Sequence, residues 1–150
     1  MKESKVSDFS TLIGIDWADN KHDICERTLD HKGYQYSVIS SSPKSTHAWA
    51  LDLKKRHPNN PVAVACELQN GPLIYALAKY EHIVLFPINP STVSKYRDAF
   101  THSGAKDDPS DARIQAEILE NHMDKLRLIT PDKADIRAMA QHVENRRKLV

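Results

Sequence analysis

Three strand-like segments in succession, followed by helix and strand in alternation, predict an α/β domain on a mixed five-stranded sheet flanked by helices. Two of those strands end in a carboxylate, at Asp16 and Glu67, which points to a site on one edge of the sheet. The chain is 150 residues long, 40% apolar and 27% charged, a length and composition suited to one globular domain with a real core.

The first strand is the apolar run 11–18, with Asp16 near its C-terminal end. Segments 22–29 and 34–40 flank the turn signal Asp30-His31-Lys32-Gly33, which makes the first three strands an antiparallel meander. Ser42-Pro43 starts a helix by cap and first-turn proline, and Ala48, Trp49, Leu51 and Leu53 give it apolar positions as far as Arg56. Residues 62–66 form a fourth, all-apolar strand, and Glu67 follows at its end. Asn70-Gly71-Pro72 leads into a helix carrying Leu73, Leu77 and Tyr80, and residues 82–88 form the fifth strand, stopped by Asn89-Pro90. Residues 91–100 read as helix and 101–105 as loop. A helix from Pro109 keeps Ile114, Ile118 and Leu119 on one side, and Thr130-Pro131 starts another that has no stop signal before Val150. A meander followed by alternating helix and strand is the order of the ribonuclease-H-like fold. The expected division is a flexible N-terminus at 1–10, the catalytic domain at 11–123 and the start of a helical connector at 124–150.

Net charge is +1, so no broad field advertises nucleic acid, although acidic catalytic groups cancel basic contacts in such a sum. The charge is uneven: Lys125, Arg127, Lys133, Arg137, Arg146, Arg147 and Lys148 stand near the end against Asp132, Asp135 and Glu144. Cys25 and Cys66 are too few and too far apart for a zinc site or a disulfide framework, and read as small buried hydrophobes. No apolar run approaches membrane-spanning length and the first residues lack a signal-peptide core, which points to a cytoplasmic protein.

The sharpest local feature is Asp108 and Asp111 in the run Lys106-Asp107-Asp108-Pro109-Ser110-Asp111-Ala112-Arg113. Proline suits the first helical position, so Asp108 reads as the N-cap and Asp111 as a first-turn residue on the same side of the helix start. A cap plus an acid favoured by the helix dipole accounts for the pair taken alone. A cap needs only one carboxylate, however, and a second adds repulsion that a divalent cation would remove. With Asp16 and Glu67 brought to one sheet edge, four acids are available. Two-metal phosphodiester chemistry needs such hard oxygen ligands around cations about 3.5–4 Å apart, and carboxylates suit Mg²⁺ or Mn²⁺.

The ordered set Ile13-Gly14-Ile15-Asp16-Trp17-Ala18, Glu67 with Gly71, Asn89-Pro90, and Lys106-x-Asp108-x-x-Asp111-Ala112 resembles the DEDD transposases of the insertion-sequence 110 group. These are mobile-element recombinases related to the pilin-gene invertase and similar to the Holliday-junction resolvase RuvC in their N-terminal domain. The resemblance runs from Ile13 to the final helix. It implies a RuvC-like domain whose acids, here Asp16, Glu67, Asp108 and Asp111, bind two ions of Mg²⁺ or Mn²⁺. It also implies DNA as substrate, a structured guide RNA in several members, an oligomeric full-length protein associated with the nucleoid, and a C-terminal domain with an attacking serine that these 150 residues lack. On that reading the isolated domain has weak or no activity alone. The family's Glu-x-Thr-Gly is replaced by Glu67-Leu68-Gln69-Asn70-Gly71, and Asp107 takes the place of a threonine. That substitution leaves Asp107 and Asp108 in competition as ligand, with helix spacing and alignment on Lys106 and Ala112 favouring Asp108.

Lys95, Arg97, Lys106 and Arg113 are candidate nucleic-acid contacts; around them Ser91, Thr92, Ser94 and Tyr96 also suit phosphate contacts and stacking, or else a short amphipathic helix with Tyr96 and Phe100 packed inward. His22 is a half-exposed strand-start residue or a phosphate contact, and Trp17 and Trp49 are core or partly buried anchors. Two other readings stay open: a stand-alone junction resolvase, and a non-catalytic nucleic-acid-binding or oligomerisation module on the same fold.

Overall fold

Among the residues the structure describes, apolar runs carry the chain into five strands, β1 (Thr11–Trp17), β2 (Lys21–Thr28), β3 (Gln35–Ser40), β4 (Val62–Glu67) and β5 (Ile83–Ile88). Four helices accompany them there, α1 (Pro43–Arg56), α2 (Gly71–Ala78), α3 (Pro90–His102) and α4 (Asp111–His122). The computed structural model describes residues 5–31, 33–67, 71–102 and 110–126. The helix expected from Thr130 lies outside them, as do Lys106, Asp107, Asp108 and Pro109.

The strands form one mixed sheet in the order β3-β2-β1-β4-β5. β1, β2 and β3 pair antiparallel, whereas β1 with β4 and β4 with β5 are parallel. This is the ribonuclease-H-like arrangement expected, and the crossovers that parallel neighbours require are supplied by α1 and α2. At the meander's second turn Gly33 has φ +88°, a left-handed conformation that glycine adopts without steric cost.

Alternation along each strand sorts the core into two layers. Ile13, Ile15, Ile24, Val62, Val64, Cys66, Ile83 and Leu85 face α1 and α2, packing with Trp49, Leu53, Leu73, Ile74 and Leu77. Leu12, Ala63, Ala65, Phe86 and Ile88 face the other way, against Val93 of α3 and Ile114, Ile118 and Leu119 of α4. Phe9 joins this second layer, its ring edge-on to Phe86 at 5.9 Å, just after a single 3-10 turn at Val6–Asp8. Cys25 and Cys66 are both buried and unbridged, as expected of small hydrophobes.

α1 begins as its sequence dictates. Ser42 Oγ accepts the Ser45 N–H at 3.2 Å and Pro43 occupies the first turn, a cap worth about 1 kcal/mol. Arg56 in its last turn reaches Glu26 on β2 through two bonds of 3.0 and 3.2 Å, which compensates a carboxylate buried under the helix. Two helix limits differ from expectation. α2 ends at Ala78, so Tyr80 sits beyond it, and α3 continues through Thr101 and His102 where a loop was expected.

α4 also starts later than the Asp108-Pro109 pattern suggested. Its N-cap is Ser110, whose Oγ accepts the Arg113 N–H at 3.2 Å, so the first helical residue is Asp111. The register is fixed by docking on β1. A Cβ built on Gly14 would overlap the Ala112 carbonyl oxygen and stand 2.9 Å from the Ala116 nitrogen. Only glycine lets the helix backbone lie that close, and the contact holds the start of α4 against β1 two residues before Asp16. Among the described residues no helix is long and apolar enough to cross a membrane.

Candidate active site

Strand register assembles the acids. β4 runs beside β1 with Leu12 opposite Ala63, Ile13 opposite Val64 and Gly14 opposite Ala65. The same offset sets Asp16 level with Glu67, two residues beyond the last bridged pair. Asp16 shares the parity of Leu12, and Glu67 that of Ala63 and Ala65, so both belong to the α3/α4 face. Both stand at C-terminal strand ends, the edge where open α/β sheets build their sites.

A third acid, Asp23, comes from β2. The β1–β2 ladder pairs Asp16 directly with Asp23, and Asp23 shares the parity of Cys25, which packs on Ala112 and Ala116 of α4. Its residue type alone does not mark it as a site acid. The signal that would have found it is the tight connection from Trp17 to Lys21, which forces the two aspartates into register.

α4 and α3 complete the edge. Asp111, in the first turn of α4, forms an ion pair with the Arg97 guanidinium of α3; both side chains are partly exposed. Arg97 also acts on Asp16. Burial, then the charges of Asp23 and Glu67, push the Asp16 carboxyl above its usual range, and Arg97 pulls it back part of the way. Arg97 thus links Asp111 to the group formed by Asp16, Asp23 and Glu67. Asp108, the remaining predicted acid, lies outside the described residues, and so does Lys106.

The donor chemistry of this edge suits a hard divalent cation: all its anionic groups are carboxylates, and burial, reinforced by the charges of Asp23 and Glu67, raises the Asp16 carboxyl above its usual range. Among the described residues the acids do not themselves close into a ready-made three-donor metal group. Arg97 supplies positive charge among them.

The predicted nucleic-acid contacts fall in different places. Lys95 is exposed and shares a groove between α3 and the end of α4 with Tyr96, His122 and Lys125. Arg97 is at the acid edge. Arg113 lies two residues beyond Asp111 and faces elsewhere, over the Tyr34 ring at 4.9 Å with its Nε 3.3 Å from Glu117. Tyr96 is partly buried against the second core layer, its hydroxyl accepting from Asn121 at 3.4 Å, as the inward-packed reading expected.

His22 corrects the reading of a half-exposed residue. Its side chain is 1% exposed, Nδ1 accepts the Ala18 N–H at 3.3 Å, and its ring lies 5.8 Å from that of Trp17. Burial lowers its pKa, so the neutral ring acts as a local brace for the β1–β2 connection. By parity it faces α1 and α2, away from the acids.

Comparison with known proteins agrees with this architecture. A transposase family, the DEDD group of IS110 type, matches residues 13–150. A protein of Streptomyces coelicolor named as a mini-circle transposase for IS117 is 33% identical over 127 residues, covering 82% of this chain and 30% of that protein. A protein of Sinorhizobium fredii named as the transposase y4uE is 28% identical over 126 residues, covering 77% of this chain and 33% of its own length. The chain therefore spans about a third of the length of these curated relatives. With the family match running over nearly the whole sheet-and-helix unit and its acid edge, the chain belongs to the DEDD transposase family of the IS110 type.

Proposed function

We propose that this chain is the acid-bearing catalytic part of a DNA transposase, in which Asp16, Glu67, Asp108 and Asp111 hold two divalent cations, Mg²⁺ or Mn²⁺. The observation that carries the reading is the placement of Asp16, Glu67 and Asp111 on one face and one edge of the sheet, coupled through Arg97. Bound there, two cations would lower the pKa of an attacking water or hydroxyl and stabilise a leaving phosphodiester oxygen. The protein's part is positioning. β1 and β4 set Asp16 and Glu67 side by side, the Gly14 contact holds the start of α4, which carries Asp111, against β1, and the carboxylates would serve as ligands without a separate general base. Pairing of β1 with β2 and β4 fixes the backbone that carries these acids, and a fixed array is what such electrostatic catalysis requires. Asp23, paired with Asp16 across the hairpin, adds negative charge that favours cation capture.

The substrate is DNA, with a structured guide RNA choosing the sites and an oligomer carrying out the exchange in the intact protein. The test is recombination in cells by the whole transposase containing this chain. Asp16→Asn, Glu67→Gln, Asp108→Asn and Asp111→Asn should each reduce recombination at least about 100-fold, with soluble expression retained. Acid variants that recombine like the parent would instead identify the domain as a non-catalytic module.

A further inference from the structure

Gln115 occupies the centre of the stripe that α4 buries. At about 100° per residue, Ala112, Ala116 and Leu119 lie to one side of it and Ile114 and Ile118 to the other. Its side chain is 0% exposed, and neither Nε2 nor Oε1 has a hydrogen-bond partner among the described residues. A fully buried amide with no partner is a costly group, and a hydrophobe of the same shape would be the cheaper occupant.

Its surroundings indicate where the amide is directed. Ala112 and Ala116 make the close contact with Gly14 on β1, and Ile114 and Ile118 pack in the layer that contains Ala63 and Ala65 of β4. Gln115 therefore lies over the seam between β1 and β4. Side chains on a helix lean toward its N-terminus, and here that end carries Asp111. The seam's last bridged pair is Gly14–Ala65, and the next residues on this face are Asp16 and Glu67. A long side chain starting above the seam and leaning that way runs beneath the acid edge.

We propose that Gln115 is a positioning residue of this edge. In the cation-bound protein its amide N–H, unpartnered among the described residues, donates to a ligating carboxylate, Asp16 foremost, and fixes that carboxylate's orientation toward the cation. Outer hydrogen bonds of this kind orient metal ligands and typically change metal affinity about 10–100-fold. The proposal rests on the metal-binding reading above.

The experiment compares the 150-residue chain with Gln115→Met, which keeps length and helix propensity but lacks the amide, and with Gln115→Leu as a second apolar variant. Thermal unfolding is measured without metal, and Mn²⁺ binding by calorimetry. Removing the unpartnered amide should raise Tm by about 2–5 °C in at least the methionine variant. Mn²⁺ affinity should fall about tenfold in the same protein. That opposition, greater stability with weaker binding, is not produced by a residue that only packs. Unchanged Mn²⁺ affinity in a folded Met or Leu variant overturns the proposal and leaves the metal reading intact. A fall of Tm and affinity together in both variants also overturns it, because the amide then holds the fold. If the unsubstituted chain binds no Mn²⁺, the metal reading fails first and the proposal falls with it.

Discussion

Arg97 of α3 forms an ion pair with Asp111 at the start of α4, and the same guanidinium lowers the pKa of Asp16 against the effects of burial, Asp23 and Glu67. A fixed positive charge thus sits among the acids. An ion pair of this exposure contributes under about 1 kcal/mol to stability, so its main consequence is for cations that compete for the same carboxylates. Arg97→Gln should leave Tm within about 2 °C of the parent and raise Mn²⁺ affinity about 3–10-fold, because a like charge has been removed. Calorimetric titration checks this. Equal or weaker binding in the variant would show that Arg97 does not compete for the site.

Gly14 gives the second prediction. The added methyl of Gly14→Ala would overlap the Ala112 carbonyl oxygen, a backbone atom that a rotamer change cannot move aside. α4 must lift from β1, at a cost of about 1–3 kcal/mol, read as a lower urea midpoint. Asp111 moves with the helix, so divalent-ion affinity should fall in the protein that remains folded. A stability within about 0.5 kcal/mol of the parent would contradict the close docking.

His22 makes stability depend on pH in a defined direction. Its pKa is lowered from an ordinary 6.5 by burial, so the unfolded chain takes up a proton before the folded one does. Its contribution is complete above about pH 6.5 and is lost as pH falls through the lowered folded value. His57, lowered chiefly by its own burial, acts in the same direction. The two histidines should therefore lower Tm, measured without metal, between pH 7 and pH 5, while Asp16, whose carboxyl is raised, contributes in the opposite direction as it takes up a proton. His22→Asn, which keeps an acceptor for the Ala18 N–H, should flatten part of that slope. An unchanged slope would show that His22 titrates normally in the fold.

Much of this arrangement is legible in the chain. The apolar runs, the Ser42-Pro43 cap and the acids at Asp16 and Glu67 are local signals, and each corresponds to an observed element or strand end. The sequence leaves the start of α4 open, because Asp108-Pro109 and Ser110 are both sound helix openings locally, and the structure caps the helix with Ser110. What selects Ser110 as the cap is accompanied by the contact between Gly14 and Ala112, residues far apart in sequence. His22 looked half-exposed because a strand-start histidine carries no mark of the Trp17 ring and the α1/α2 layer that cover it. Arg97 reads in the sequence as a nucleic-acid contact, and Asp23 carries no mark of its pairing with Asp16, for a related reason: their places among the acids come from helix packing and strand register.

Divalent-cation binding at this edge is measured by Mn²⁺ titration of the 150-residue chain followed by electron paramagnetic resonance, with Asp16→Asn and Glu67→Gln alongside. Mn²⁺ binding should be saturable, displaced by Mg²⁺, and weaker by at least about tenfold in each variant. Asp16→Asn should be the more heat-stable protein at neutral pH without metal, since the ionised carboxylate is opposed by burial, Asp23 and Glu67. Absence of saturable binding, or binding by Asp16→Asn equal to that of the parent, would contradict cation binding at this edge.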